Sequence, residues 1–145
     1  MIRLSSGLRG AMLWDAGLRL MMWRGKIDVY SGPQPESADF APTGTLLGSI
    51  TENGDPFVVG AETGGLRLDG VGMTHLVHVG DWQFNGDDSG TPGWWRYVWN
   101  LNDPGTDSNY YPRIDGTVGE SLFNMPGVVN SATVVSGIEF NLFFN

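Results

Sequence analysis

Apolar residues in this chain fall into short runs, many alternating with polar ones, and glycine and proline cut the runs apart; that is the pattern of β-strands. Lys26–Tyr30 predicts a first strand with Ile27 and Val29 facing inward, and Thr43–Thr51 a second, ending in a turn on Asn53-Gly54. Phe57–Val59 and Leu66–Leu68 predict two short strands, and Thr74–Phe84 a longer one. Both faces of that longer strand are bulky: Leu76, His78, Trp82 and Phe84 lie against His75, Val77 and Val79. The clearest alternation is in Thr133–Phe144, with Val134, Ile138, Phe140, Leu142 and Phe144 on one side and Glu139 and Asn141 on the other. Only the beginning has helical spacing. Ser5 or Ser6 would cap a helix reaching about Trp23, with Gly25 placed to stop it. Leu4, Leu8, Ala11 and Met12 share one face of that helix, Leu18, Met21 and Met22 continue the stripe, and Trp14 and Trp23 widen it.

The stretch that organises the rest is Trp94–Gly119, which holds three of the six tryptophans and three of the four tyrosines. On a strand, Trp94, Arg96 and Val98 face one side and Trp95, Tyr97 and Trp99 the other. Neither face can stay in water cheaply, since each large ring hides about 150–250 Å² when covered. The segment is therefore a central strand, or one whose outer face meets a partner chain. Tyr110–Ile114 predicts a further strand, closed by a tight turn at Asp115-Gly116 in which Gly116 supplies a positive φ. Pro33, Pro35 and Pro42 keep the segment after Tyr30 out of any central strand. About eight to ten short strands imply a mainly β fold: a single-domain antiparallel β-sandwich of jelly-roll type with an N-terminal α-helix, a barrel being the alternative. Residues 1–25 form the helix or arm and residues 26–145 the sandwich.

Composition narrows the chemistry. With 145 residues the chain is the size of one domain, and its 22 glycines and eight prolines exclude a helical bundle. Cysteine is absent, which excludes disulfides and thiolate metal sites. No apolar run approaches the ~18 residues of a membrane helix and the start lacks the core of a signal peptide, so a soluble protein is expected. The net charge of -8 is unevenly spread: Met1–Lys26 carries five bases and one acid, a net +4, and the remainder three bases and fifteen acids, a net -12. So acidic a body repels nucleic acid. The basic N-terminal segment suits docking on an acidic neighbour, such as the same domain in another subunit.

Catalytic and metal motifs are lacking. His75 and His78, three apart on a strand, point to opposite faces and cannot share a metal. Asn85, Asp87, Ser89 and Gly90 imitate the opening of a calcium loop, but Arg96 stands where its bidentate glutamate belongs. Asp103 and Asp107, with Asn102 and Asn109, offer oxygen ligands, although such segments are more often turns. There is no nucleophile elbow or phosphate-cradling loop, and two histidines and one lysine leave few general bases. A protein that is not an enzyme, with no cofactor or metal, is expected. The aromatic residues are the remaining signal, and they suit core filling, subunit contact or stacking on sugars.

Two regions read together bear a likeness: IRLSSGLRGAML with GKIDVYSGPQPESADFAPTGTLLGSIT, and later GWWRYVW with PRIDGTVG. They resemble a group of small virion structural proteins of tailed bacteriophages and prophages. The likeness covers the first 50 residues and Gly93–Gly119, whereas Ala61–Asp88 departs from the pattern. It implies a non-enzymatic component of the phage particle, made in the host cytoplasm and built into the virion. A capsid decoration (cement) protein fits best, stabilising the head through contacts with its own copies and the major capsid protein. A tail-fibre, tail-tip or baseplate module is the alternative, with tryptophans gripping host glycans. Neither nucleic acid nor membrane is an expected partner. The residues expected at the partner interface are Trp94, Trp95, Tyr97 and Trp99, with Arg96 and Arg113 as ion-pairing groups, and Trp14 and Trp23 on the arm.

Overall fold

Two antiparallel sheets face each other in the computed structural model, which describes residues 1–72 and 74–143. The larger contains β1 (Arg3–Leu4), β2 (Lys26–Ser31), β3 (Leu46–Glu52), β6 (Trp82–Gly86), β7 (Pro92–Val98), β8 (Arg113–Thr117) and β10 (Val134–Val135), in the order β1-β8-β7-β2-β3-β6-β10. The smaller contains β4 (Arg67–Val71), β5 (His75–Val79), β9 (Leu122–Phe123) and β11 (Glu139–Phe143), in the order β4-β5-β11-β9. The fold is thus the mainly β sandwich that the alternation predicts.

Register explains the core. Leu4, Ile114, Tyr97, Ile27, Ile50 and Phe84 lie directly opposite one another across β1, β8, β7, β2, β3 and β6. This row faces inward and joins one buried cluster with Leu68, Leu122, Phe140 and Leu142 of the smaller sheet. Phe140 sits at its aromatic centre, with its ring 5.3 Å from both Trp82 and Trp95. Buried indoles need acceptors for their N–H groups, and both have them: Trp82 donates to the Val79 carbonyl at 3.1 Å and Trp95 to that of Thr117 at 3.1 Å.

Several elements differ from the sequence expectation. Thr74–Phe84 is two strands, parted at Gly80-Asp81 and placed in different sheets. Thr133–Phe144 divides the same way: Val134–Val135 pairs with β6, while Glu139–Phe143 pairs with β5. Ile138, Phe140 and Leu142 are buried, Val134 is exposed, and Phe144 lies outside the described residues. A bend between sheets lets one chain supply apolar groups to both walls of a single core. Phe57–Val59 is a loop, not a strand. Asp115-Gly116 is mid-strand rather than a turn, and Gly116 is absent from the positive-φ glycines. Its role is close approach, since Gly116 lies opposite Trp95 and a Cβ there would drive into the indole.

At the N-terminus the single predicted helix is two: α1 (Ser6–Trp14) and α2 (Leu18–Met21). Ser5 caps α1, its Oγ accepting from the Leu8 amide at 3.1 Å. The break falls at Asp15–Gly17, where aspartate and glycine favour helix poorly. Leu4 pairs within β1 instead of joining the helical stripe. Leu8, Leu18 and Met22 insert into the core, so this segment packs on its own sandwich, while Met12, Leu13, Trp14 and Leu20 stay exposed.

Candidate interaction surfaces

The outer face of the large sheet carries charges where a surface strand would carry solvated groups. Ser49, Asp28, Arg96, Asp115 and Arg3 stand opposite one another across β3, β2, β7, β8 and β1. Arg96 grips Asp115 in a two-pronged pair at 2.7 and 2.8 Å, both side chains buried, and donates its third arm to the Phe40 carbonyl at 2.9 Å. Arg3 donates to Pro35 O at 2.8 Å. Arg113 pairs with Asp103 through two bonds of 2.7 Å and also reaches the carbonyls of Ala38 and Thr106. Ser6 donates its amide and its hydroxyl to the two oxygens of Asp39, each at 2.6 Å. Trp94 stacks on Tyr30 at 4.6 Å and donates to Thr43 O. These bonds fasten the 32–45 and 99–112 loops over the sheet. Burial pushes the Asp115 carboxyl above its usual range, with Arg96 pulling it back down. Burial also pushes the phenols of Tyr30 and Tyr97 up.

This arrangement corrects the expected interface. Trp94, Trp95, Arg96, Tyr97 and Arg113 are buried within the protomer and offer no surface to a partner. The small sheet covers the inner face of β7 and the two loops cover its outer face, so both bulky faces find cover inside one chain. The motifs that carry the sequence likeness supply much of this clamp: Arg3, Ser6, Asp39, Arg96, Arg113 and Asp115. The other three expected residues are placed differently. Trp23 is partly buried, with the guanidinium of Arg19 at 4.8 Å over its ring and that of Arg24 at 5.6 Å. Trp99 is partly exposed, edge-on to Tyr110 at 6.2 Å and to Tyr111 at 6.4 Å. Trp14 stands free at 87% exposure.

Around Trp14 lies an apolar surface that helical spacing alone does not bring together. Leu13 is 85% exposed, and Met12 and Leu20 are also open, on the two adjoining helices. A hollow of about 400 Å³ separates Trp14 and Met21 from Trp99 and Tyr110. Its floor is close because Gly7 has no side chain: a Cβ there would strike the Tyr110 carbonyl. Leu13 and Leu20 lie off the predicted apolar stripe, and that mismatch was the available signal.

The candidate ion ligands are engaged by the protein itself. Asp103 is held by Arg113 and accepts from the Gly105 amide at 2.9 Å, and Asp107 accepts from the Ala41 amide at 2.7 Å. His78 Nδ1 accepts from the Phe140 amide at 3.1 Å, and His75 contacts the Thr74 hydroxyl. Among the described residues no group of three or more histidines and carboxylates is placed to hold a metal ion.

A second hollow, of about 230 Å³, opens over the centre of the large sheet. Lys26, Asp28 and Tyr30 of β2 form its floor, and Phe57, Val98 and Leu101 its apolar walls. Lys26 Nζ lies 3.1 Å from Asp28 Oδ1, which also accepts from Ser49 Oγ at 2.6 Å. Comparison with protein-family models, with curated proteins and with solved structures finds no match to this chain.

Proposed function

We propose that this protein is a non-enzymatic structural component of a tailed-phage particle, a capsid decoration protein that adheres to its own copies and to the head lattice. Its site of action is the virion, reached by assembly in the host cytoplasm. The observation that carries this reading is the exposed apolar surface of α1 and α2, with Leu13 and Trp14 almost fully in solvent. That surface belongs to the basic segment of an otherwise acidic chain, so a second copy's acidic body complements it in charge. An exposed tryptophan is the kind of anchor that dominates binding energy when a partner covers it. The sequence likeness to virion proteins supplies the particle context. A tail module that grips glycans through tryptophans is less well supported, because Trp82, Trp94 and Trp95 are sealed in the interior.

Analytical ultracentrifugation tests the contact. The wild-type chain is expected to self-associate with rising concentration, and Leu13→Ser/Trp14→Ala to remain monomeric with an unchanged melting temperature. The wild type, but not that variant, should add to purified heads lacking it and raise their resistance to heat. A wild type that stays monomeric and leaves the heads unchanged refutes the proposal.

A further inference from the structure

We propose that the hollow over β2 binds a single uncharged sugar ring, a hexose residue of a polysaccharide. This does not depend on the self-association proposed above. At about 230 Å³ the hollow is smaller than the ~300–1,000 Å³ of sites for drug-sized ligands and suits one ring. Its floor offers groups of both hydrogen-bonding senses. Asp28 Oδ1 is occupied by Ser49 and Lys26, whereas Oδ2 has no protein donor among the described residues. The hydroxyl of Tyr30, a residue only 9% exposed, likewise has no protein partner among the described residues. Lys26 Nζ, held by one carboxylate oxygen, keeps hydrogens to donate.

Charge selects the ligand class. Among the lining residues Lys26 and Arg96 balance Asp28 and Asp103, so the hollow has no net charge with which to hold a phosphate or a metal cation. Phe57, Val59, Val98 and Leu101 give the walls an apolar side, with Asn102 and Asp103 beside it, and the Phe57 ring approaches Lys26 at 5.5 Å. A pyranose has both surfaces in one molecule, a C–H face for Phe57 and Val98 and vicinal hydroxyls for Asp28, Lys26 and Tyr30. Glycan contact falls here to a tyrosine, a phenylalanine and an ion pair rather than to tryptophans.

Saturation-transfer NMR and calorimetry on the full chain, with methyl α-D-glucopyranoside, methyl β-D-galactopyranoside and methyl α-D-mannopyranoside, test this, with inorganic phosphate as the control. At least one glycoside is expected to bind saturably with a Kd on the order of 1 mM, as suits so small a ligand. Asp28→Asn should weaken it at least ~10-fold and Tyr30→Phe several-fold, since hydrogen bonds to charged groups are worth the most. Should Asp28→Asn fail to fold, Tyr30→Phe, which keeps the stack on Trp94, and Phe57→Ala decide the matter. Three results would each overturn the proposal: no saturable binding up to about 50 mM, affinity unchanged in both Tyr30→Phe and Phe57→Ala, or tighter binding of phosphate than of any glycoside.

Discussion

Tyr97 carries a hydroxyl into the core, where it has no hydrogen-bond partner among the described residues. Its ring is needed there, packing edge-on to Trp82 at 6.2 Å and to Phe140 at 6.0 Å, but its oxygen is not. An unpaired buried hydroxyl costs about 1–3 kcal/mol of desolvation with no bond in return. Tyr97→Phe is therefore expected to stabilise the protein by about 1 kcal/mol, raising the melting temperature by roughly 2–4 °C at this chain length. Differential scanning calorimetry reads the shift, and a fall in its place would mean that the hydroxyl is bonded. Gly116 makes the same point about residue identity. Sequence suggests a turn glycine, but the space that Trp95 occupies across the strand pair dictates it.

Among the elements, the outer face of β7 and β8 shows how a charged row can be a fastening rather than a surface. The Arg96–Asp115 pair is fully sequestered, and burying two charges costs several kcal/mol per ion before their attraction repays it. The raised Asp115 carboxyl says that burial is the larger effect. Its sign fixes the pH dependence: the stability linked to its protonation is fully present below the unfolded value of 3.8 and is lost as pH rises through the higher folded value. Asp115→Asn cannot titrate. It should destabilise by about 3–5 kcal/mol by leaving Arg96 unpaired, and the gap from wild type should be wider near pH 4 than near pH 7. Urea unfolding at the two pH values measures this, and a gap that shrinks in acid would mean that Arg96 sets the carboxyl. The double change Arg96→Met/Asp115→Leu should recover most of the loss.

Over the whole molecule, the indoles divide between the sealed and the open. Trp82, Trp94 and Trp95 are shielded by the two sheets and their loops, whereas Trp14 is open. Iodide should therefore quench Trp14 most strongly, and Trp14→Phe should remove the largest share of the quenchable emission. If copies cover one another through α1 and α2, wild-type quenching should fall as protein concentration rises; quenching independent of concentration would count against that contact. The charge distribution acts at the same scale: with net +4 in the first 26 residues and -12 beyond them, the proposed contact between copies would be favoured by charge in a head-to-body orientation.

Sequence alone determined that this is a β-sandwich, that Ile27, Val29, Ile138, Phe140 and Leu142 face inward, and that Asn53-Gly54 turns, both residues having positive φ. Alternation and turn preference are properties of neighbouring residues, so they can be read locally. Tertiary structure decided which sheet each half of Thr74–Phe84 joins, what covers the aromatic strand, and that Arg3, Arg96 and Arg113 clamp a loop. It also decided that Lys26, Asp28 and Tyr30 floor a hollow while Leu13 and Trp14 stay bare. The reason is distance along the chain: a period of two shows that a strand has two faces, but what lies over each face is set by segments tens of residues away.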